Sequence, residues 1–240
     1  MRHSLKIIFL ALIVVSSPAY ATRTVTSPTV SAGDTVFEVK GEYSIDEDDD
    51  TDGAWKNKLT LGYGFTSYWY SELETNVDQS GDPDDRTDFT SIDWKNKFQL
   101  TSQKDVGLDS GFRISYAKNL SGSEDKVEVK LLAGKDIGKT SHRINVIFDR
   151  TTESGRGANW GTSWSSRYKL SDQFQPGFEL YDSFGKMVDE QGFDTQDHRV
   201  GPVFYGKVGK NLSYDAGYLI GLSEAAPDGT LKVILKYKFD

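Results

Sequence analysis

The chain has 240 residues, no cysteine and a formal net charge of −8. That length suits a single domain, since barrels of roughly 200–250 residues are routinely one unit. Without cysteine there is no disulfide and no thiolate metal site, and without a basic surplus there is nothing to neutralise phosphates, which argues against a nucleic-acid partner.

Taken in chain order, the first element is a targeting signal. Arg2 and Lys6 precede the apolar run Ile7–Val15, and Ala19-Tyr20-Ala21 supplies the small-x-small pattern of a cleavage site. The pattern predicts a signal peptide over residues 1–21. Its apolar run is too short to span a bilayer as a helix, which needs about 20 residues. Cleavage after Ala21 leaves 219 residues, removes Arg2 and Lys6 but no acid, and so moves the net charge from −8 to −10. Residues 22–34 are expected to form an N-terminal periplasmic segment, and residues 35–240 the folded domain.

From residue 35 onward, apolar and polar residues alternate with period two. Phe37-Glu38-Val39-Lys40-Gly41-Glu42-Tyr43 sets the theme, and Trp55–Phe65, Leu108–Tyr116 and Leu231–Phe239 repeat it. Twelve such segments are predicted, near 35–43, 55–65, 69–78, 90–101, 108–117, 125–134, 142–149, 159–168, 175–183, 198–208, 212–221 and 230–239. Many have about ten residues, the length of a tilted strand that crosses a bilayer. The connections alternate between longer ones, beginning with the acidic Ser44–Ala54, and tighter ones such as Thr66–Tyr68 and Gly209–Asn211. Short periplasmic turns and longer outer loops follow the same rule in outer-membrane barrels. Aromatic residues near predicted strand ends (Tyr43, Trp55, Phe65, Trp69, Tyr116, Trp160, Tyr168, Tyr237) fit two interfacial girdles. The fold expected is an all-β transmembrane antiparallel up-and-down barrel of about 12 strands in a Gram-negative outer membrane. A soluble two-sheet protein is the competing arrangement, because it too needs one apolar face per strand.

The runs Phe178-Glu179-Leu180-Tyr181, His198-Arg199-Val200-Gly201-Pro202-Val203, Gly217–Leu222 and Ala225-Ala226-Pro227-Asp228 resemble outer-membrane proteins grouped with the meta-pathway of phenol degradation. The hairpin plan is also similar to that of small twelve-stranded acidic-sugar porins, the oligogalacturonate-specific porin group. Both resemblances imply a channel or transporter role, with the solute open and no catalytic residues to transfer.

Placing the polar face of each strand inward puts fifteen basic side chains in the lumen: Lys40, Lys56, Lys58, Lys95, Lys97, Arg113, Lys126, Lys130, Arg143, Arg167, Arg199, Lys207, Lys232, Lys236 and Lys238. Ten acids face them: Glu38, Glu42, Glu72, Glu74, Asp93, Asp109, Glu128, Asp149, Glu179 and Asp215. A basic excess inside an acidic chain favours anionic solutes, since rings of Lys and Arg lower the barrier to anions. The same groups could instead pair and fill a narrow lumen, because twelve strands enclose less space than an open porin. A non-conducting structural or binding barrel therefore stays open as an alternative. The expected surroundings are membrane lipid, lipopolysaccharide and small solutes, with no cofactor.

Asp48-Asp49-Asp50-Thr51-Asp52-Gly53 matches the start of an EF-hand loop, but its twelfth position is Leu59 rather than Glu. Asp48, Asp50 and Asp52 are weak metal candidates at most, and a solvated loop is the plainer reading. A lipid-modifying enzyme would need a Ser–His arrangement. Only His198, with Asp197 beside it and Ser183 opposite, lies where outer-leaflet lipid could reach, and no G-x-S-x-G motif is present. The chain is not read as an enzyme.

Overall fold

The period-two pattern becomes twelve antiparallel strands closed into one barrel. They are Thr35–Ile45 (β1), Trp55–Gly64 (β2), Trp69–Gln79 (β3), Asp88–Thr101 (β4), Asp109–Asn119 (β5), Lys126–Ile137 (β6), Thr140–Thr151 (β7), Asn159–Tyr168 (β8), Gln175–Lys186 (β9), Asp197–Val208 (β10), Leu212–Gly221 (β11) and Gly229–Phe239 (β12). The computed structural model describes residues 23–49, 51–79, 87–152, 157–188 and 192–239. The expected signal peptide, residues 1–21, lies outside the described residues, as do Thr22 and Asp50. Each strand pairs with its sequence neighbours, and β1 pairs with β12 from Thr35↔Phe239 to Ile45↔Gly229. Closure leaves no sheet edge with unpaired backbone groups.

Because successive Cβ atoms point to opposite sides of a strand, the alternation sorts chemistry across the wall. In β2, Lys56, Lys58 and Thr60 are buried inside while Leu61 stands outside, 56 % exposed. Phe37, Ile114, Ile220 and Val233 are also exposed on the outer face. Two aromatic clusters flank this apolar band. At one end, Phe65 stacks on Trp69 and Phe98 on Phe112. At the other, Tyr43 packs on Trp55 and Trp160 on Phe184. Two polar groups on the outer face are covered by indoles, with Trp94 Nε1 donating to Ser71 and Trp69 Nε1 donating to Asn96.

The end carrying connections 46–54, 120–125, 187–196 and 222–228 is called the loop end, and the opposite one the turn end. Several strands run two or three residues beyond the expected limits. The connection expected over Lys135–Ser141 shrinks to Gly138-Lys139, because β6 continues to Ile137 and β7 starts at Thr140. Gly138 has φ +57, the positive value that the first position of a tight II′ hairpin turn requires. Two short helical turns, Gln103–Val106 (α1) and a 3-10 turn at Phe193–Thr195, decorate connections where no helical period is visible.

Residues 22–34 are expected to form an N-terminal periplasmic segment; in the structure, residues 23–34 run inside the barrel along nearly its full height. At the turn end Gly33 donates to the Gly64 carbonyl at 2.7 Å. At the loop end the Arg23 guanidinium pairs with Asp197, the first residue of β10. Eleven extended residues reach about 35 Å, enough for that path. The segment from Thr24 to Gly33 bears no charge, so it can enter without leaving an unpaired ion behind.

Candidate functional site

The lumen is where chemistry-bearing side chains converge. Lys40, Lys56, Lys58, Lys95, Lys130, Arg199 and Glu179 are buried in it, and Lys97, Arg113, Arg143, Arg167 and Glu72 are half-buried on the same inner face. They fall into separate groups.

The largest group centres on Glu74 of β3, which is fully buried. Register puts Lys58 opposite Asn76 and Lys95 opposite Glu72, so lysines from both neighbouring strands lean diagonally onto Glu74. Lys40 reaches it from β1 at 2.8 Å and Lys58 at 3.3 Å, Lys95 bonds it from the other side, and the Thr60 hydroxyl donates at 2.9 Å. One carboxylate therefore holds three ammonium groups. The network continues through Lys40–Glu38 (2.8 Å), Lys236–Glu38 (3.2 Å) and Lys236–Asp215 (3.3 Å). On the far side, Arg113 pairs with Glu128 at 2.7 Å and approaches Glu72 at 4.0 Å.

A second group centres on Glu179, which takes Lys232 at 2.5 Å and the hydroxyls of Tyr181 and Tyr205 at 2.7 and 2.8 Å. A third joins Arg199 to Asp197 through two 2.8 Å bonds and to Thr230. Arg143 and Arg167 lie apart on β7 and β8. Among the described residues neither has a carboxylate partner, and Arg167 lies over the Tyr205 ring at 5.3 Å.

The inner surface also has an apolar arc that the alternation concealed. Tyr181, Val203, Tyr205 and Leu219, from β9, β10 and β11, form a buried cluster closed by Val25 of the N-terminal segment. The segment meets specific partners along its course. The Asn145 side chain pairs with the Thr26 backbone in both directions, accepting at 2.7 Å and donating at 2.9 Å. Lys97 donates to the Ser27 and Thr29 carbonyls, Lys232 to the Arg23 carbonyl, and Gln99 accepts from the Val30 N–H. The sequence signal for this docking is faint: a Thr/Ser/Val/Pro stretch with no charge, and glycines at inward positions of the wall. A Cβ on Gly64 would come within 2.0 Å of the Ser31 carbonyl oxygen.

Between the segment and the β2–β6 wall, a cavity of about 310 Å³ opens at the loop end. Its lining carries seven basic side chains, Arg23, Lys40, Lys58, Lys95, Arg113, Lys126 and Lys130, against four acidic ones, Glu74, Asp78, Asp93 and Glu128. Toward the turn end, the space beside Thr26, Tyr70 and Lys97 is only about 30 Å³, room for a water or two.

The remaining candidates behave differently. In the acidic loop, Asp52 accepts from the Asp46 N–H and Asp46 accepts from the Asp48 N–H, so carboxylates are engaged in folding the turn. Among the described residues no group of three or more His, Asp or Glu side chains is arranged to hold a metal ion. His198 sits at the loop end with Nδ1 on Asp182 at 2.7 Å and Nε2 on Gln196 at 2.9 Å, between Phe184 and Phe193. Its orienting acid is therefore Asp182 rather than the adjacent Asp197. Its other nitrogen meets an amide where a nucleophile would have to stand.

This closed barrel can be compared with known proteins. A family model described as "Putative MetA-pathway of phenol degradation" matches residues 137–239. Among solved structures, the NanC porin superposes with a TM-score of 0.61 at 10 % identity, covering 85 % of this chain and all of that one. The KdgM porin gives 0.59 at 12 % identity, covering 85 % and 99 %. The chain has the fold of a small porin. The outer membrane protein Omp33 of Acinetobacter baumannii is similar as well, at a TM-score of 0.54 and 10 % identity, over 86 % of this chain and 98 % of that one. A comparison with curated protein sequences finds no match.

Proposed function

We propose that the protein is an outer-membrane channel for the passive diffusion of small anionic solutes, exported by a signal peptide over residues 1–21. The observation that carries this reading is the 310 Å³ loop-end vestibule with its seven basic and four acidic lining groups. Low-dielectric walls focus the field of such charges, so a local cationic excess outweighs the acidic loops outside, which salt screens beyond about 8–10 Å. The apolar outer band and the two aromatic clusters support immersion in a bilayer. The loop carboxylates Asp48, Asp49 and Asp52 then face lipopolysaccharide and its counter-ions. Sharing a fold with porins supports the channel class and says nothing of the solute.

The test is single-channel recording in planar bilayers, with reversal potentials under a salt gradient. Anion preference that falls when Lys58, Lys126 and Lys130 are replaced together by Gln supports the reading. Cation preference defeats it. A second reading, a barrel that does not conduct at all, is favoured by one observation: the N-terminal segment leaves only about 30 Å³ beside Thr26, Tyr70 and Lys97.

A further inference from the structure

We infer that residues 24–33 are a built-in, displaceable competitor for the solute path: the barrel wall is a cradle for an extended uncharged peptide, and in cis that peptide is the chain's own N-terminal segment. The inference rests on the channel reading above and adds how the channel is closed.

The contacts are those of a bound ligand. Polar groups of the wall turn to the segment's backbone over residues 26–30, through Asn145 at Thr26, Lys97 at Ser27 and Thr29, and Gln99 at Val30. The Asn145 amide reproduces the donor–acceptor pair of a neighbouring strand, the arrangement by which sheets take up an added peptide. Two apolar side chains seat the segment: Val25 in the Tyr181–Val203–Tyr205–Leu219 cluster, and Pro28, which is fully buried. The wall leaves room for it, because a side chain at Gly64 would strike Ser31 and one at Gly134 would crowd Pro28 at 3.3 Å.

Apart from the Asn145 amide, the side chains that donate to it are cationic. Lys97 and Lys232 give hydrogen bonds to carbonyl oxygens of the segment, and Arg113 approaches the Thr26 hydroxyl at 3.4 Å. A carbonyl is a weaker partner for an ammonium group than a carboxylate or phosphate oxygen. An anionic solute entering from the vestibule therefore offers these side chains better acceptors than the segment does. The segment also blocks the route, because the space beside Thr26 is about 30 Å³ against about 310 Å³ above it. Thr24 to Gly33 is uncharged, so Arg23 is the one charge of residues 23–33 that withdrawal past the turn end would have to draw through the lumen. The segment's one charged tie, Arg23 to Asp197 and Glu42, is at the loop end.

The experiment removes residues 24–31, leaving the export signal and β1 intact, and records conductance of barrels shown to be folded by heat-dependent gel mobility. The deletion should raise conductance several-fold, and a synthetic peptide of residues 22–33 added to the bath should block most of the gain while a scrambled peptide does not. A second variant replaces Val30 and Gln99 with cysteine in this cysteine-free chain. Oxidation should suppress its current and reduction restore it. A folded deletion variant that conducts no better than the parent, or a current that survives oxidation of the cysteine pair, overturns the inference. An absence of current in every folded form overturns it together with the channel reading. Peptide block with cation preference upholds the plug and removes only the anionic solute class.

Discussion

Replacing Glu74 with alanine tests the lumen network at its most loaded point. The carboxylate is fully buried and holds Lys40 at 2.8 Å, Lys58 at 3.3 Å and Lys95 closer still. Two unit charges 4 Å apart interact by about 4 kcal/mol at an effective dielectric of 20. Removing the acid loses several such attractions at once and leaves three ammonium groups repelling one another. Water entering from the vestibule offsets part of this, so the expected loss is that of a broken buried ion pair, about 3–5 kcal/mol. Glu74→Gln keeps the shape and an acceptor for the Thr60 hydroxyl but not the charge, and should recover only a minor part. As a control, Lys126→Met breaks a 2.9 Å pair with Asp149 at a site where Lys126 is 48 % exposed, and should cost no more than about 1 kcal/mol. Urea unfolding of the barrel in lipid vesicles, followed by tryptophan fluorescence, measures all three. If Glu74→Ala and Lys126→Met are equally mild, the lysines do not depend on that carboxylate and the network argument fails.

Three further outcomes are expected. Val233, 47 % exposed at the middle of β12, should cost about 2–4 kcal/mol when replaced by Arg if that face meets lipid, measured by the same unfolding assay; a neutral result would mean the band is not immersed. Gly201→Ala puts a Cβ 1.9 Å from the Tyr218 carbonyl oxygen, a backbone atom that cannot swing aside, so a loss of about 1–3 kcal/mol should appear in thermal gel-shift midpoints. The Tyr116 hydroxyl, together with Lys118 and the Asn119 N–H, holds the Asp125 carboxyl below its ordinary value. That contribution is complete above the ordinary carboxylate range near pH 4 and is lost as pH falls through the depressed folded value. Hydrogen exchange at the Asn119 amide should therefore accelerate in strong acid, and Asp125→Asn should abolish that pH dependence.

The strands were legible because a wall with lipid-suited and lumen-suited faces writes itself as alternation. The segment 159–168 coincides with β8, and the pairing of the first and last strands follows from the need to close the sheet. Strand ends were less legible at β6 and β7, where Lys135, Asp136 and Ser141 read as turn residues yet continue the ladder beyond the apolar band. The inward placement of charges followed from parity, but their grouping did not. That Glu74 rather than Glu72 gathers the lysines depends on neighbours across four strands, β1 to β4, which only register fixes. The course of the N-terminal segment through the lumen was not legible, because Thr24–Gly33 has no period. Its partners, Asn145, Lys97 and Gln99, are distant in sequence. The apolar arc was hidden for a related reason: Tyr181, Val203, Tyr205 and Leu219 occupy inward positions on strands where the outward neighbours are apolar too.

The lumen is therefore two-sided, and the two sides have different consequences for a solute. The β9–β11 arc presents aromatic and aliphatic surface, and it takes Val25; wetting it would forfeit the apolar burial that seats the segment. The β1–β6 arc presents the Glu74 network and borders the vestibule. If the proposed channel conducts, solute and segment would compete for width rather than for one shared surface, except at Lys97, Arg113 and Lys232, whose donors already serve the segment. Deeper toward the turn end, Arg143 and Arg167 have no carboxylate partner among the described residues, and Pro28 packs against the same stretch of wall, beside Gly134. Withdrawal of the segment would expose a cationic step directly below the vestibule. An anion leaving the Lys58–Lys130 region would then meet further positive charge on its way out, where a cation would meet a barrier. On the proposed channel reading, the wall charge and the segment would act on different quantities: the first would set the sign of the permeant ion, and the second how often the path is open.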